Sequence, residues 1–338
     1  MNPEPSRRQL LAAGLGAALL PAARAAELPN PLIPQRADPQ VLRHGDWYYL
    51  MATVPEYDRL ELRRALSLVG LATAEPQVIW RQHAQGPMSR HIWAPELHFI
   101  GGRWFVYFSA GEAREPWKIR LWVLENASPD PLRGEWLERG QIRTQWESFT
   151  LDATSFEHRG SRYLAWAQND PASQGHSTNI YLSRMASPTT LQGPQLMLSR
   201  PEFAWEQVRH AVNEAPAVLV SHGRVFIAYS AAGTGAEYCL GLLWADEGAD
   251  LMDTRAWHKS PVPVFESSAE NGIYGPGHNS FVVEPDGRVF NVYHARNYRD
   301  IVGDPLKDSG RATRTQPVDF GADGMPDFGR PLRETGRP

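Results

Sequence analysis

The segment that decides the fold runs from Val212 to Ser230 and reads VNEAPAVLVSHGRVFIAYS. It places the carboxylate of Glu214 ahead of two runs of strand-forming residues, which are separated by a short turn containing Gly223. Two such runs joined by a glycine-containing turn are typical of a β-hairpin. The segment therefore predicts two antiparallel strands, with an ionisable side chain near the start of the first.

The same pattern occurs five times along the chain. The five hairpins turn at Gly45, Gly102, Gly160, Gly223 and Gly287, and successive glycines lie 57 to 64 residues apart. A regular period of this length is typical of repeated units such as propeller blades. We therefore predict an all-β chain that forms a five-bladed β-propeller in a single domain.

An ionisable side chain precedes each turn glycine by six to nine positions. These side chains belong to Asp38, Glu96, Asp152, Glu214 and His278. Because the first strand of each propeller blade lies next to the central axis, we expect the five to converge on one place. Such convergence is what an active site requires. The alternative is that they are five unrelated polar residues at strand edges.

The first 25 residues have the organisation of a secretory signal. Two adjacent arginines, Arg7 and Arg8, precede a short apolar run at residues 12–20. That run is too short to span a membrane, and the paired arginines indicate a twin-arginine-type signal. We predict a signal peptide at residues 1–25, a propeller at 26–338 and an exported protein, either periplasmic or extracellular. The alternative is a short buried helix with flanking charges.

Composition argues against several classes of function. The chain has 338 residues and a net charge of −4, with both signs mixed along it, so we expect neither nucleic acid nor a membrane surface as a partner. Cys239 is the only cysteine, and neither a Cys-x-x-Cys nor a His-Glu-x-x-His motif occurs. Disulfides and zinc sites of those types are therefore not expected. Twelve Trp and eleven Tyr provide flat faces on which sugar rings can lie.

Five short motifs occur in order, one in each predicted blade. They are RADP at 36–39, HIWAPEL at 91–97, LDATSF at 151–156, VNEAP at 212–216 and GPGHNS at 275–280. In this order the series resembles glycoside hydrolase family 43, whose five-bladed propellers act on polysaccharides containing arabinose or xylose. The resemblance covers about residues 30–331.

A finer similarity points to one group within that family. The segments RLELRR at 59–64, GLLW at 241–244 and DGMPDFG at 323–329 are most similar to exo-acting α-L-arabinofuranosidases that trim α-1,5-linked arabinan. The resemblance implies release of L-arabinofuranose from arabinan or arabino-oligosaccharides. Two alternatives remain open: a β-xylosidase or bifunctional xylan-trimming enzyme, and a carbohydrate-binding propeller without catalysis. Loops at 53–62 and 110–117 are expected to form pocket walls that decide between the sugars.

The resemblance also assigns roles to three carboxylates. Cleaving a glycosidic bond needs an acid for the leaving oxygen and a base on the opposite face of the sugar. Asp38 corresponds to the general base, Glu214 to the general acid, and Asp152 to a carboxylate that raises the pKa of the acid and holds it in place. Because the family inverts, we expect the carboxyl groups of Asp38 and Glu214 to lie roughly 6.5 to 9.5 Å apart. For each of them, the alternative is a structural strand-edge residue.

Ala215 departs from the pattern of the family. There the acid is usually followed by glycine, in a Glu-Gly-Pro sequence, whereas this chain has Glu214-Ala215-Pro216. A methyl group is tolerable unless the backbone at that position needs a positive φ, which glycine adopts freely and alanine resists. The departure bears on the pose of Glu214 rather than on its role.

Further site residues follow from the same resemblance. His278 would face a cation, commonly calcium, held at the propeller axis through water; the alternative is a hydrogen-bonded core histidine. Arg311 would contact the sugar in the innermost subsite, with Arg314 as the alternative assignment. Trp93 is the candidate stacking platform, although a plain core tryptophan is the competing interpretation. Glu96 is expected to have a positioning or structural role.

Overall fold

The computed structural model describes residues 28–173 and 177–335. The predicted signal peptide at 1–25 therefore lies outside the described residues. Three short 3₁₀ helices occur in the described chain: η1 (Val69–Ala72), η2 (Ala204–Gln207) and η3 (Thr254–Ala256). The remaining regular structure is β-strand, as the sequence predicts.

Twenty strands in the described residues form five four-stranded antiparallel sheets. Blade 1 contains β1 (Ala37–His44), β2 (Trp47–Thr53), β3 (Arg59–Ala65) and β4 (Gln77–Arg81). Blade 2 contains β5 (Arg90–Ile100), β6 (Arg103–Glu112), β7 (Glu115–Asn126) and β8 (Leu137–Gln141). Blade 3 contains β9 (Thr150–His158), β10 (Ser161–Gln168), β11 (Asn179–Ser187) and β12 (Thr190–Ser199).

The other two sheets repeat the same arrangement. Blade 4 contains β13 (Asn213–Ser221), β14 (Arg224–Ala231), β15 (Cys239–Asp246) and β16 (His258–Lys259). Blade 5 contains β17 (Tyr274–Val283), β18 (Val289–Arg296), β19 (Ala312–Phe320) and β20 (Pro326–Asp327). Strands adjacent in sequence are also adjacent in each sheet. The first strands β1, β5, β9, β13 and β17 contact one another in a closed ring, so the predicted five-bladed propeller is confirmed.

The hydrophobic core lies between the blades rather than inside any one of them. Tyr49 and Leu62 of blade 1 pack with Trp104 and Phe108 of blade 2, and equivalent clusters fill the other interfaces. The second strand of each blade is buried on both faces, so these strands read as nearly continuous apolar runs. Each fully buried large side chain contributes about 1.5–3 kcal/mol. This packing holds the blades together around the ring of first strands.

Segments from the two ends of the described chain close the ring. The backbone of Leu32 donates to the carbonyl oxygen of Thr313 in β19 at 2.8 Å, and Thr313 donates back to Ile33 at 2.9 Å. Arg314 is buried and donates to Asn30 Oδ1 at 2.9 Å and to Glu334 Oε1 at 2.7 Å. Arg314 therefore joins the N-terminal and C-terminal segments.

Each first strand carries a β-bulge at an equivalent position. The bulged residues have positive φ angles: Asp38 (54°), Ala94 (45°), Asp152 (57°), Ala215 (51°) and His278 (45°). A bulge re-aims the side chains around it and commonly lies beside active sites. The repeat places Asp38, Asp152 and His278 at equivalent positions. Glu214 precedes its bulge residue by one position and Glu96 follows its own by two, which the spacing of the glycines did not reveal.

Candidate active site

Four of the predicted site residues meet at the bulges of the first strands. His278 Nδ1 lies 3.3 Å from Asp38 Oδ1 and 3.9 Å from Asp152 Oδ2. Arg311 Nη1 lies 3.4 Å from Asp38 Oδ1. All four side chains are buried. Charged groups taken out of water in this way are stable only because they compensate one another.

Asp38 sits among groups that favour its ionised form. Burial by itself would raise the pKa of Asp38, but His278 and the cation of Arg311 outweigh burial and hold that pKa well below the ordinary range of a carboxyl. Burial lowers the pKa of His294 to about 3, so its imidazole is neutral and its Nδ1 accepts from the backbone N–H of Asp38 at 3.1 Å. Asp38 is therefore an ionised carboxylate at neutral pH.

Glu214 has the opposite electrostatic environment. Burial raises the pKa of Glu214 to about 7, and the charge of Asp38 acts in the same direction. The hydroxyl of Tyr238, which donates to Glu214 Oε1 at 2.7 Å, opposes this shift, as does Arg311. Burial and the charges of Glu214 and Asp38 also raise the pKa of Asp152. The pair formed by Glu214 and Asp152 therefore retains a proton near neutral pH.

A series of links between blades explains how Asp152 reaches the residue beside Glu214. In four blades the bulge N–H donates to a side chain in the second strand of the preceding blade: Asp38 to His294 Nδ1 (3.1 Å), Ala94 to Thr53 Oγ1 (2.7 Å), Asp152 to Ser109 Oγ (3.1 Å) and His278 to Ser230 Oγ (2.7 Å). For the bulge of blade 4 the equivalent second-strand residue is Ala167 of blade 3, whose side chain has no hydrogen-bond acceptor. The N–H of Ala215 donates instead to Asp152 Oδ2 at 3.1 Å.

Tyr57 brings the loop at 53–62 into the site. Its hydroxyl accepts from Arg311 Nη2 at 3.1 Å and donates to the carbonyl oxygen of Leu306. The predicted alternative, Arg314, is committed to Asn30 and Glu334 and makes no contact with the carboxylate cluster in the described chain. Of the two arginines, the structure thus places Arg311 next to Asp38.

Trp93 belongs to an aromatic cluster beside Tyr57. Its ring stacks on His91 with centroids 4.6 Å apart and an interplanar angle of 21°, and it meets the edge of Tyr57 at 5.8 Å. The segment 110–117, expected to be a loop, belongs mostly to β6 and β7, with only residues 113–114 between these strands. Trp117, on β7, lies 6.2 Å from Trp93. Trp93 is largely buried, whereas Trp117 is 57% exposed. Glu96 lies outside this cluster. Its Oε2 lies 3.0 Å from His98 Nε2, within hydrogen-bond distance.

Sequence reasoning missed Tyr238 and His294. The two rings stack with centroids 5.6 Å apart and an interplanar angle of 5°, so Tyr238 touches Glu214 while its stacking partner touches Asp38. A Cβ atom at Gly277 would lie 2.2 Å from Tyr238 Cε1. Gly277, just before His278, therefore indicates in the sequence that another group packs closely against the backbone there. It does not indicate that this group is the ring of Tyr238.

The residues around His278 do not form a direct metal site. The described residues contain no group of three His, Cys, Asp or Glu side chains arranged to hold a metal ion. Calcium takes six to eight oxygen ligands, and the Nδ1 of His278 already faces Asp38 and Asp152. A calcium ion would have to be held almost wholly through water.

The sequence profile of glycosyl hydrolases family 43 matches residues 28–326. The chain belongs to glycosyl hydrolase family 43. It is 55% identical over 311 residues to an extracellular exo-α-(1→5)-L-arabinofuranosidase of Streptomyces chartreusis, with 89% of this chain and 94% of that protein covered. A protein of the same name from Streptomyces avermitilis is 51% identical over 319 residues, which cover 94% of this chain and 66% of that one.

A solved structure supports the same assignment. The α-L-arabinofuranosidase of Lactobacillus brevis superimposes with a TM-score of 0.89 at 47% identity, covering 93% of this chain and 100% of the other. The family predicted from the five motifs is thus confirmed, and the protein is a glycoside hydrolase. Within residues 28–173 and 177–335 of this family 43 enzyme, no helix has the length and apolar character needed to cross a membrane.

Proposed function

We propose that this family 43 enzyme is an inverting, exo-acting α-L-arabinofuranosidase that releases L-arabinofuranose from α-1,5-arabinan or arabino-oligosaccharides. The observation that carries the proposal is the opposite protonation of two carboxyl groups: Asp38 is held ionised, whereas Glu214 keeps a raised pKa of about 7. A base and an acid separated in this way are the pair that glycoside hydrolysis requires. The activity named for the relatives from both Streptomyces species supports the choice of sugar and linkage.

In the proposed reaction, Glu214 gives its proton to the glycosidic oxygen as the bond to the anomeric carbon breaks. Asp38 takes a proton from a water molecule whose oxygen forms the new bond to that carbon on the opposite face. One proton leaves Glu214 and one arrives on Asp38, so the enzyme returns to its starting state by exchange with solvent. Room for this water implies a carboxyl separation of roughly 6.5 to 9.5 Å.

The remaining residues of the site would position the sugar and the acid. Asp152 accepts from the N–H of Ala215 and so fixes the backbone beside Glu214. Arg311, buried beside Asp38, would donate to sugar hydroxyls, and Trp93 would contribute its largely buried ring to the wall of the innermost subsite. The contact between Tyr57 and Leu306 joins two loops beside Arg311 and supports a closed pocket, hence exo action.

Product analysis tests this function directly. The mature protein is incubated with linear α-1,5-arabino-oligosaccharides and, separately, with xylo-oligosaccharides, and the products are followed by chromatography. Arabinose as the sole early product is expected. Short oligomers as the first products would indicate endo rather than exo action, and xylose would indicate a β-xylosidase. Proton NMR of the first product tests inversion, because the released sugar must have the opposite anomeric configuration to the substrate.

We also propose that residues 1–25 export the protein by the twin-arginine route. The paired arginines before a short apolar run support this, and two similar proteins carry the word extracellular in their names. Replacing both Arg7 and Arg8 with lysine should leave the precursor in the cytoplasm. Normal export of that variant would rule out the twin-arginine route.

We also propose an axial calcium ion that faces His278. Water-mediated binding there would stabilise the folded state by mass action. Treatment with EDTA should then lower the melting temperature, and added calcium should restore it. An unchanged melting temperature and unchanged activity would leave His278 as a neutral partner of Asp38 and Asp152, a state that its pKa, lowered by burial, also favours.

A further inference from the structure

Another buried carboxylate lies close to the start of the strand that carries Glu214. Glu206, in η2, is completely buried. Its Oε2 accepts from the backbone N–H groups of Glu202 at 2.8 Å and Phe203 at 2.9 Å, and Lys259 Nζ lies 2.8 Å from its Oε1. Burial alone would raise the pKa of Glu206, but Lys259 and these N–H groups outweigh burial and lower it. Glu206 is therefore an ionised acceptor in a fixed position.

Two further donors connect Glu206 to the strands of blade 4. Asn213 Nδ2 in β13 and the hydroxyl of Tyr229 in β14 each donate to Glu206 Oε1 at 2.9 Å. Asn213 directly precedes Glu214, and Tyr229 directly precedes Ser230, which is paired with Glu214 across the two strands. One carboxylate oxygen therefore holds both strands at the level of the acid.

Asn213 is also held by blade 3. Its Oδ1 accepts from Ser199 Oγ at 2.6 Å, and its backbone N–H donates to the carbonyl oxygen of Thr178 at 3.0 Å. Ser199 ends β12 and Thr178 directly precedes β11, so both contacts come from the neighbouring blade. Successive side chains of a strand point to opposite faces. Fixing Asn213 on one face therefore fixes the direction in which Glu214 leaves the other.

The buried charge of Glu206 is better explained by direction than by stability. A buried ion pair commonly adds little net stability compared with apolar side chains of similar volume. Hydrogen bonds, unlike apolar contacts, have a preferred geometry. A general acid must lie within roughly 2.6–3.2 Å of the atom that receives its proton, so its direction matters.

We propose that Asn213 and Glu206 are positioning residues for the general acid. Asn213 acts through the backbone that it shares with Glu214, and Glu206 keeps Asn213 in place. This role rests on the proposed function, in which Glu214 protonates the glycosidic oxygen. Loss of the positioning should therefore matter only for substrates whose leaving group needs that proton.

The test measures kcat/KM of Asn213→Ala on two substrates. The leaving group of arabinotriose is a sugar alcohol that needs a proton, whereas the nitrophenolate of 4-nitrophenyl α-L-arabinofuranoside leaves with little protonation. Asn213→Ala should lower kcat/KM for arabinotriose by about tenfold or more, because a small displacement of an acid removes much of its effect. For the nitrophenyl substrate the loss should be less than about threefold, since the contribution of the acid is small there.

Asn126→Ala is the matched control. Asn126 is almost fully buried, and its side chain donates to the carbonyl oxygen of Arg133 at 2.7 Å. It is paired with Trp104, near the turn at Gly102 and away from the bulges. With rates corrected for the folded fraction, Asn126→Ala should leave both values of kcat/KM unchanged.

Two further variants separate positioning from support of the fold. In the Glu214→Gln background the proton is already absent, so adding Asn213→Ala should lower kcat/KM for arabinotriose by less than about twofold. Tyr229→Phe removes only one donor to Glu206 and keeps the buried ring. It should give a smaller loss with the same preference between the substrates, and it serves as the test if Asn213→Ala does not fold.

Equal losses on the two substrates would overturn the positioning role, because a general defect of the fold lowers both. An unchanged value for arabinotriose, or a full further loss in the Glu214→Gln background, would also overturn it while leaving the proposed function intact. Failure of the wild-type enzyme on both substrates would instead overturn the proposed function, and the positioning role with it.

Discussion

At the residue scale, two carboxyl groups of the same chain have opposite protonation states. Asp38 is buried beside His278 and Arg311, which favour its charge. Burial and the charge of Asp38 raise the pKa of Glu214 to about 7. The difference arises from neighbours on other blades rather than from the two residues themselves. It is the physical basis for assigning base and acid.

Substitutions of these two residues should respond differently to the leaving group. Glu214→Gln removes the proton donor and should lower kcat on arabinotriose by about 10²–10⁴-fold. The loss should be much smaller on 4-nitrophenyl arabinofuranoside, whose phenolate leaves with little protonation. Asp38→Asn should lower kcat severely on both, since water must be activated in either case. Steady-state kinetics on the two substrates checks this, and equal losses in both variants would contradict the assignment.

Tyr238 should tune the pH range of the acid. Its hydroxyl donates to Glu214 Oε1 and thereby favours the ionised carboxylate, which lowers the pKa of Glu214. In the wild-type enzyme, activity should fall as the pH rises through about 7, where Glu214 loses its proton. Tyr238→Phe should raise the pKa of Glu214, so that this decline moves to higher pH, while kcat falls about tenfold from poorer orientation. A pH profile of kcat/KM measures the shift of the decline, and the rate at saturating substrate measures the fall in kcat.

A second buried tyrosine serves as the control for that variant. Tyr107 is fully buried and its hydroxyl donates to the carbonyl oxygen of Pro188 at 2.7 Å, remote from the carboxylates. Tyr107→Phe should leave the pH profile in place. A decline at unchanged or lower pH in Tyr238→Phe would show that Tyr238 does not act on the proton of Glu214.

At the scale of the element, the bulge in each first strand sets the geometry of the site. The five bulges hold the backbone at positive φ and turn one N–H towards the preceding blade. Ala167 breaks the series, because it lacks the acceptor that Thr53, Ser109, Ser230 and His294 supply at the same position in the other blades. Asp152 fills that gap. Because Ala167 offers no side-chain acceptor, the N–H of Ala215, next to Glu214, bonds to Asp152 instead.

The alanine after Glu214 should cost stability. Ala215 has a φ of 51°, a conformation in which a Cβ atom costs about 1–2 kcal/mol. Glycine avoids this cost, but it also raises the conformational entropy of the unfolded chain, which cancels part of the gain in stability. Ala215→Gly should raise the free energy of unfolding by about 0.5–1 kcal/mol, measured by urea denaturation, with activity retained.

Ala94 provides a matched position for this measurement. It is the bulge residue of blade 2, has φ of 45° and donates its N–H to Thr53 rather than to a carboxylate. Ala94→Gly should give a similar gain, because the backbone conformation is the same. A loss of stability in Ala215→Gly would mean that its methyl group contributes packing that outweighs the strain.

At the scale of the whole molecule, the ring of blades is joined by contacts far apart in sequence. Asn30 and Arg314 are 284 positions apart, and Arg314 also binds Glu334. The backbone pairing of Leu32 and Ile33 with Thr313 lies beside them. These bonds hold blade 5 against blade 1 near Asp38. Closure of the ring and the position of Asp38 are therefore linked.

Removing the closing arginine should destabilise the fold without changing the chemistry. Arg314→Leu leaves Glu334 without this partner in a buried setting, which costs about 3–5 kcal/mol for a broken buried pair. Arg330→Leu, which breaks an exposed pair with Glu270, should cost at most about 1 kcal/mol. Melting temperatures compare the two, and kcat below the transition should be unchanged in both. A large fall in kcat for Arg314→Leu would place Arg314 in the site.

The sequence by itself determined the repeat, the fold and the family. Turn glycines such as Gly223 and the apolar runs around them are local properties, and a hairpin needs nothing more distant to form. Five hairpins at a regular spacing already indicate blades. The motifs around Asp38, Asp152, Glu214 and His278 are also local, which is why they could be named before any distance was known.

Only the tertiary structure decided which side chains touch. Arg311 is 273 positions from Asp38, and its choice over Arg314 depends on the direction in which β19 enters the ring. Tyr238, just before β15, and His294, on β18, reach Glu214 and Asp38 from segments whose sequences carry no catalytic signal. The bulges shift Glu214 relative to the other first-strand residues, and no hydrophobic pattern encodes that shift. Such contacts depend on how rigid blades pack, which is a property of the whole ring.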